Sequence, residues 1–360
     1  MKKNRKMKTQ LVATTLFILI LGACQQKSEV KQEEQTQKTE TMSNTAEHYT
    51  FELSDNVTRQ KVSFKNRFGI TLSGDLYLPK TGGNNLSAIA ISGPFGAVKE
   101  QASGFYGNQM AQRGFAVLAF DPSYTGESGG EPRFIASPEI FTEDFSAAVD
   151  FLGIQKNIDR NKICIIGICG FGGFALNAVA IDKRVKAVAV LSMYDMSRVT
   201  TRGYFDATTP EQRTQQLEKL GLQRWEDAKN GTTALAPQGL PSELEGNEPQ
   251  FVKDYFDYYK TKRGFHERSI NSNGAWSATG QLGLMNMPIM TYIKEITPRP
   301  LLIIAGANAH SRYFSEDAYK AASEPKELLI IPNAAHVDLY DKLDIIPFDK
   351  LETFFKETLK

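Results

Sequence analysis

The stretch Lys162-Ile-Cys-Ile-Ile-Gly-Ile-Cys169-Gly-Phe-Gly-Gly-Phe174 is an apolar, β-branched run that ends at Gly167 and is followed by a cysteine and a glycine pair. The glycines open a second apolar segment, Phe174-Ala-Leu-Asn-Ala-Val-Ala-Ile181. The pattern predicts a buried strand, a turn too tight for ordinary side chains, and a helix. Such a strand–turn–helix can hold a nucleophile at the C-terminal edge of a parallel sheet, where open α/β sheets place their sites. The usual elbow reads Gly-x-Ser/Cys-x-Gly. Here Phe171 stands where the second glycine is expected, so its side chain must point away from the strand–helix contact.

Working outward, short apolar strands alternate with helical patterns. Leu86–Ser92, Phe115–Phe120 and Val185–Ser192 read as buried strands, and 101–113 and 142–152 carry helical apolar spacing. An antiparallel hairpin is expected over 62–78, turning at Asn66-Arg-Phe-Gly69. Strand–helix alternation of this kind predicts an α/β fold: a right-handed parallel sheet with helices on both faces. The rhythm breaks from about 197 to 297, where helix-like segments and a Met-rich piece replace it. It resumes at Pro300-Leu-Leu-Ile-Ile-Ala305 and Glu327-Leu-Leu-Ile-Ile331, so the break reads as an inserted helical lid.

At the N-terminus, Met1-Lys-Lys-Asn-Arg-Lys-Met-Lys8 is basic, and residues 11–21 form an apolar run too short for a comfortable transmembrane helix. Leu21-Gly22-Ala23-Cys24 follows. This resembles a bacterial lipoprotein signal, which implies cleavage of 1–23, lipidation of Cys24 and an anchor on the outer face of a membrane. Several acyl chains hold stably, since each buried methylene contributes about 0.8 kcal/mol. Residues 24–58 are polar and read as a flexible tether, leaving 59–360 as the catalytic domain. A net charge of +1 and the lack of a basic–aromatic cluster give no basis for a nucleic-acid partner.

Cys24 aside, the cysteines are Cys164 and Cys169. Cys164, inside the apolar run, reads as a small core residue. Cys169 at the turn is the candidate nucleophile, its thiolate favoured by the following helix N-terminus. His336 follows the last apolar strand and is the candidate base, with His310 as competitor; His48 and His266 lie in other regions. An acid is needed to orient the imidazole. Asp195, directly after a strand, is favoured, with Glu316 and Asp317 as alternatives, whereas Asp338 reads as a local cap. Gly170 N–H supplies one oxyanion donor, and the turn Gly93-Pro94-Phe95-Gly96 supplies a second from Phe95 or Gly96, because Pro94 has no N–H. Tyr255, Tyr258 and Tyr259 either pack the lid or line an acyl pocket. No Cys/His set has zinc spacing and no phosphate-cradling loop is present, so no metal or cofactor is expected.

Further motifs are Gly93-Pro-Phe-Gly-Ala-Val-Lys-Glu-Gln101, Ala119-Phe-Asp-Pro-Ser-Tyr-Thr-Gly-Glu-Ser-Gly-Gly-Glu-Pro-Arg133, Tyr258-Tyr-Lys-Thr-Lys-Arg-Gly264, Ala309-His-Ser-Arg-Tyr-Phe-Ser-Glu-Asp-Ala-Tyr319 and His336-Val-Asp-Leu-Tyr-Asp341. With the elbow they resemble the α/β-hydrolase superfamily over about 62–360, in its dienelactone-hydrolase-like branch and the bacterial YcjY type within it. The resemblance implies a mostly parallel sheet of about eight strands, Cys169 as nucleophile and His336 as base. It leaves the acid and the substrate open. The expected function is hydrolysis of carboxylic esters, lactones or thioesters through an acyl-enzyme, with a small-molecule acyl substrate. Acyl transfer on the same residues and a non-catalytic, ligand-binding surface lipoprotein are the alternatives; a peptidase is the weaker third.

Overall fold

The computed structural model describes residues 47–360 with the exception of Gly82. The expected signal segment, Cys24 and the first part of the tether lie outside the described residues. Eight strands form one sheet: β1 Val57–Lys65, β2 Thr71–Pro79, β3 Leu86–Ser92, β4 Ala116–Phe120, β5 Ile158–Ile168, β6 Val188–Leu191, β7 Leu301–Gly306 and β8 Lys326–Ile331. Their order is β1-β2-β4-β3-β5-β6-β7-β8. β1–β2 and β2–β4 pair antiparallel, and every later pair is parallel. This is the α/β-hydrolase arrangement.

The expected hairpin forms because Asn66 closes it. Its backbone N–H donates to Ile70 O at 3.0 Å, its carbonyl accepts from Gly69 N at 2.9 Å, and its side-chain oxygen accepts from Phe68 N and Ile70 N at 3.1 and 3.0 Å. That is an Asx-type turn. Strand order reverses between β3 and β5: from β3 the chain crosses outward to β4, then returns past β3 to β5. A crevice opens at such a reversal, outside the carboxyl ends of the strands. The turn after β3 carries Phe95, and the turn after β5 carries Cys169.

β4, β6 and β7 are buried along their whole length, and β3 and β5 over their C-terminal parts, because helices cover both faces, so these segments read as continuous apolar runs. In β5, Ile163 and Ile165 face one core, and Cys164, Ile166 and Ile168 face the other. Cys164 is therefore a core residue, its thiol pushed up to about 12 by burial. The helix Pro138–Gly153 begins with Ser137 accepting from Ile140 N at 3.3 Å and proline in its first turn, both favourable at a helix start.

The tether ends earlier than expected. Tyr49 donates to Asp75 at 2.9 Å, Thr50 N donates to Glu100 O at 3.1 Å, and Asn108 exchanges hydrogen bonds with Glu52 and Ser54. Phe51 packs on Phe105. Polar composition predicted a solvated linker to residue 58, but two aromatic residues suffice to dock its final part on the domain.

Between β6 and β7 lie the helices Met196–Arg202, Pro210–Asn230, Gln250–Lys260, Ile270–Asn273 and Leu282–Asn286. Pro210–Asn230 starts with a reciprocal Thr209–Gln212 capping box and ends at Gly231 in the left-handed region (φ 61°). Gln250–Lys260 turns its tyrosines toward the sheet edge, with Tyr258 and Tyr259 buried.

Candidate active site

Cys169 sits at the tip of the turn between β5 and the helix Gly170–Ile181, at φ 55° and ψ −125°. A non-glycine residue in so sparsely populated a region costs of order 1–3 kcal/mol. The strain is held by three hydrogen bonds: Cys169 N to Leu191 O at 2.9 Å, and Cys169 O from Gly172 N at 2.9 Å and Tyr194 N at 3.0 Å. The glycines permit close approach. A Cβ on Gly170 would lie 2.6 Å from Phe95 Cβ, and one on Gly172 would lie 2.6 Å from Met193 Cβ. Phe171 points away from this contact into an aromatic cluster, with ring centroids 5.2 Å from both Phe141 and Phe174. A glycine two residues after the cysteine is therefore unnecessary here, because Gly172 takes the tight position.

The Cys169 thiol is buried, which raises its pKa; the Tyr340 hydroxyl, the amides of Phe95 and Gly170, and the Tyr255 hydroxyl each pull it back. The two expected oxyanion donors therefore converge on the Cys169 sulfur. The inserted helices brace the Phe95 turn: Asn271 Nδ2 donates to Phe95 O at 2.8 Å, and Ser269 Oγ donates to Gly96 O at 2.9 Å. Phe95 also stacks on Trp276 at 4.1 Å between centroids.

His336 follows β8 and is 2 % exposed. Its carbonyl accepts from Ser192 Oγ at 3.0 Å, and Arg263 donates to the next carbonyl, Val337 O, at 3.0 Å while forking onto Asp341. The ring Nε2 meets Tyr340 Oη at 2.9 Å, and Nδ1 meets Ser311 Oγ at 2.5 Å. Burial first, then His310, pushes the His336 pKa well below its ordinary value. The imidazole is thus held neutral, the form a general base requires.

The expectation that Asp195 orients this imidazole is corrected. Asp195 caps the helix Met196–Arg202, its carboxylate accepting from Ser197 Oγ at 2.5 Å and Arg198 N at 3.0 Å. The chain after β6 turns directly into that helix, whose first amides claim the acid. The alternatives are also engaged elsewhere: Glu316 with Arg312 at 2.8 Å, Asp317 with Arg198 at 2.9 Å, and Asp338 with Ala335 N at 2.8 Å and Lys342 at 2.7 Å. Ser311 takes the acid's position. The loop after β7 carries no carboxylate from 306 to 312, and its hydroxyl was the signal to read.

His310, the competing histidine, bonds Tyr194 and stacks on Phe251 at 4.4 Å; burial pushes its pKa down to about 4. Its ring centroid lies 5.2 Å from that of His336. It belongs to the aromatic wall behind His336.

A cavity of about 290 Å³ opens on Cys169. Tyr194, Tyr204, Tyr255, Tyr259 and Tyr340 supply its hydroxyls, Phe95 and Phe251 much of its apolar surface, and among the described residues no charged one lines it. Tyr255 and Tyr259 come from the inserted helix Gln250–Lys260, whereas Tyr258 packs on Tyr340 at 5.0 Å. Among the described residues, one cluster elsewhere has metal-ligand character: His48, His266 and Glu267 bring ligand atoms within 4.8 Å of one another. Yet His266 donates through Nε2 to His48 O at 3.0 Å and accepts Arg268 N at Nδ1 at 3.2 Å. With both ring nitrogens occupied, it serves as a clasp for the segment that begins at Glu47.

The family model of X-Pro dipeptidyl-peptidases (S15 family) matches residues 69–338, which include the elbow and His336. The chain belongs to the S15 family. This S15 member is 63 % identical over 311 residues to the Pseudomonas aeruginosa protein PA2218, covering 86 % of this chain and 83 % of that one. The PA2218 crystal structure superposes with a TM-score of 0.84, covering 86 % of this chain and 97 % of that one. Escherichia coli YcjY is 33 % identical, over 83 % of this chain and 99 % of its own length. A shorter match, 37 % identical over 36 % of this chain and 40 % of the relative, is to the thiohydrolase aneE of Aspergillus aculeatus. Family and fold together make this chain an α/β hydrolase.

Proposed function

We propose that this hydrolase cleaves thioesters or activated esters of neutral, apolar or aromatic acyl groups, on the dienelactone-hydrolase-like pattern, through an acyl-enzyme on Cys169. The observation that carries the reading is the uncharged, tyrosine-lined cavity that opens on the cysteine. In this mechanism the thiol loses its proton toward His336, and sulfur attacks the acyl carbonyl. Phe95 N–H and Gly170 N–H stabilise the oxyanion, and the proton returns to the leaving group.

The family's name denotes removal of dipeptides, a reaction that leaves a free ammonium group in the site. Burying an ammonium without a partner costs several kcal/mol, and the wall of this cavity carries no carboxylate to meet it. A thiolate nucleophile also suits a thiol or phenol leaving group better than an amine. The thiohydrolase relative points the same way.

The test is a substrate panel on the purified domain: benzoyl and short-chain acyl thioesters and p-nitrophenyl esters against an X-Pro p-nitroanilide. Neutral thioesters are expected to exceed the dipeptide anilide in kcat/KM by about a hundred-fold or more, the equivalent of an unpaired buried charge. Equal or better turnover of the dipeptide would overturn the assignment.

A further inference from the structure

Among the described residues, the side-chain partner of His336 Nε2 is Tyr340 Oη, at 2.9 Å. Tyr340 in turn lines the cavity together with Cys169, and its hydroxyl is the first of the groups that pull the buried thiol's pKa back down. The two residues stand four apart, with Tyr340 on the single helical turn Asp338–Asp341, so one turn of chain sets both positions. The Tyr340 ring is locked, fully buried, by Tyr258 at 5.0 Å and Tyr259 at 6.3 Å between centroids. Its hydroxyl is thereby fixed between acid and base.

We infer that Tyr340 is a catalytic residue that relays the proton between Cys169 and His336. This rests on Cys169 being the nucleophile. Tyr340 Oη accepts the thiol proton as it passes its own proton to His336 Nε2. The S–H bond breaks and a new O–H bond forms; the old O–H bond breaks and an N–H bond forms. The electron pair stays on sulfur, the tyrosine ends neutral, and the imidazolium donates Nδ1–H to Ser311. Reversal delivers the proton to the leaving group. Ser311 is a positioning residue: it fixes the tautomer that leaves Nε2 open to accept.

The titratable groups facing this chain are Tyr194, Tyr204, Tyr255 and Tyr259 around the sulfur, Tyr194, Tyr255 and His310 around His336, and Tyr258 and Tyr259 against Tyr340. All are neutral at physiological pH, and the carboxylates on the Tyr340 turn, Asp338 and Asp341, are paired with Lys342 at 2.7 Å and Arg263 at 2.6 Å.

The experiment is the rate of Cys169 alkylation by iodoacetamide against pH, which requires no acyl substrate to be turned over. The wild-type rate is expected to be nearly flat from pH 6 to 8, because neutral His336 draws the proton at the moment of attack. In Tyr340→Phe only pre-formed thiolate reacts. Its rate should fall about a hundred-fold at neutral pH and rise ten-fold per pH unit. His336→Gln should show the same slope, and the double variant should be no slower than either single one, as expected of residues acting in one chain. In wild-type protein, a solvent-deuterium series should bend as two moving protons require. A Tyr340→Phe profile that matches wild type, additive losses in the double variant, or a linear one-proton isotope series would each overturn the relay. Such a result would leave the acyl-enzyme reading standing, because that falls only if Cys169 carries no acyl group.

Discussion

Replacing His336 with glutamine is expected to lower kcat/KM for the best acyl substrate by about 10²–10⁴-fold, the usual contribution of a positioned general base. Glutamine keeps a hydrogen-bonding head of similar reach toward Ser311 and Tyr340 but cannot take up a proton. The site exaggerates the loss, because the side-chain partners of the imidazole, Ser311 and Tyr340, are hydroxyls and not carboxylates that could accept the proton instead. The same environment sets the pH dependence. Burial and His310 hold the His336 pKa well below the ordinary 6.5, so the base stays neutral and active into acid. The acid limb of kcat/KM should therefore lie below pH 6.5, and Ser311→Asp should move it upward by stabilising the imidazolium. Stability follows in the same direction: the folded state binds fewer protons than the unfolded one, so stability is lost as pH falls through 6.5 toward the folded value. His336→Gln should remove that component of acid destabilisation. An unchanged kcat/KM, or an acid limb above 6.5, would contradict this account.

Lys99→Met is expected to destabilise the domain by about 3–5 kcal/mol, measured as urea unfolding at neutral pH. Lys99 is fully buried, and its ammonium bonds Glu100, meets Glu127 at 2.6 Å and lies 3.5 Å from Asp121. Glu100 is also buried and takes Arg268 from the insertion at 2.5 Å. Asp121 accepts both Lys99 N at 2.7 Å and Glu127 N at 2.9 Å, tying the turn after β3 to the turn after β4. Removing the ammonium leaves buried carboxylates facing one another with too little positive charge. Methionine preserves most of the volume, so the loss reports charge rather than packing. Adding Glu100→Gln should restore part of it. A loss below about 1 kcal/mol would place this cluster among weak surface pairs. The cluster also holds the segment that presents Phe95 N–H, so Lys99→Met should slow acylation in the fraction that stays folded.

The sheet and the position of the site were largely legible in the sequence. β-branched runs ending in glycine-rich turns define the parallel strands, and the reversal of strand order places the turns after β3 and β5 side by side. Cys169, Gly170, Phe95 and His336 could be named because each belongs to such a turn or to the loop after the last strand. The inserted helices hid the rest. They bring Tyr255 and Tyr259 to the cavity from a segment with no sheet periodicity, and contacts across the fold decide which tyrosine faces where. Asp195 misled because a carboxylate after a strand suits both a triad and a helix cap, and Arg198 N lay nearer than His336. Ser311 was overlooked because an acid was sought. The signal for Tyr340 is its spacing: a tyrosine four residues after His336, on the short helix Asp338–Asp341 that follows it.

The central claim is that Cys169 carries the acyl group. The most direct measurement mixes the full chain with a slowly deacylated aromatic thioester, quenches in acid and maps the adduct by peptide mass spectrometry. The account predicts one acyl group on the peptide containing Cys169, with none on Cys164, and no adduct in Cys169→Ala. Turnover with no adduct on Cys169, or an adduct and turnover that persist in Cys169→Ala, would contradict it.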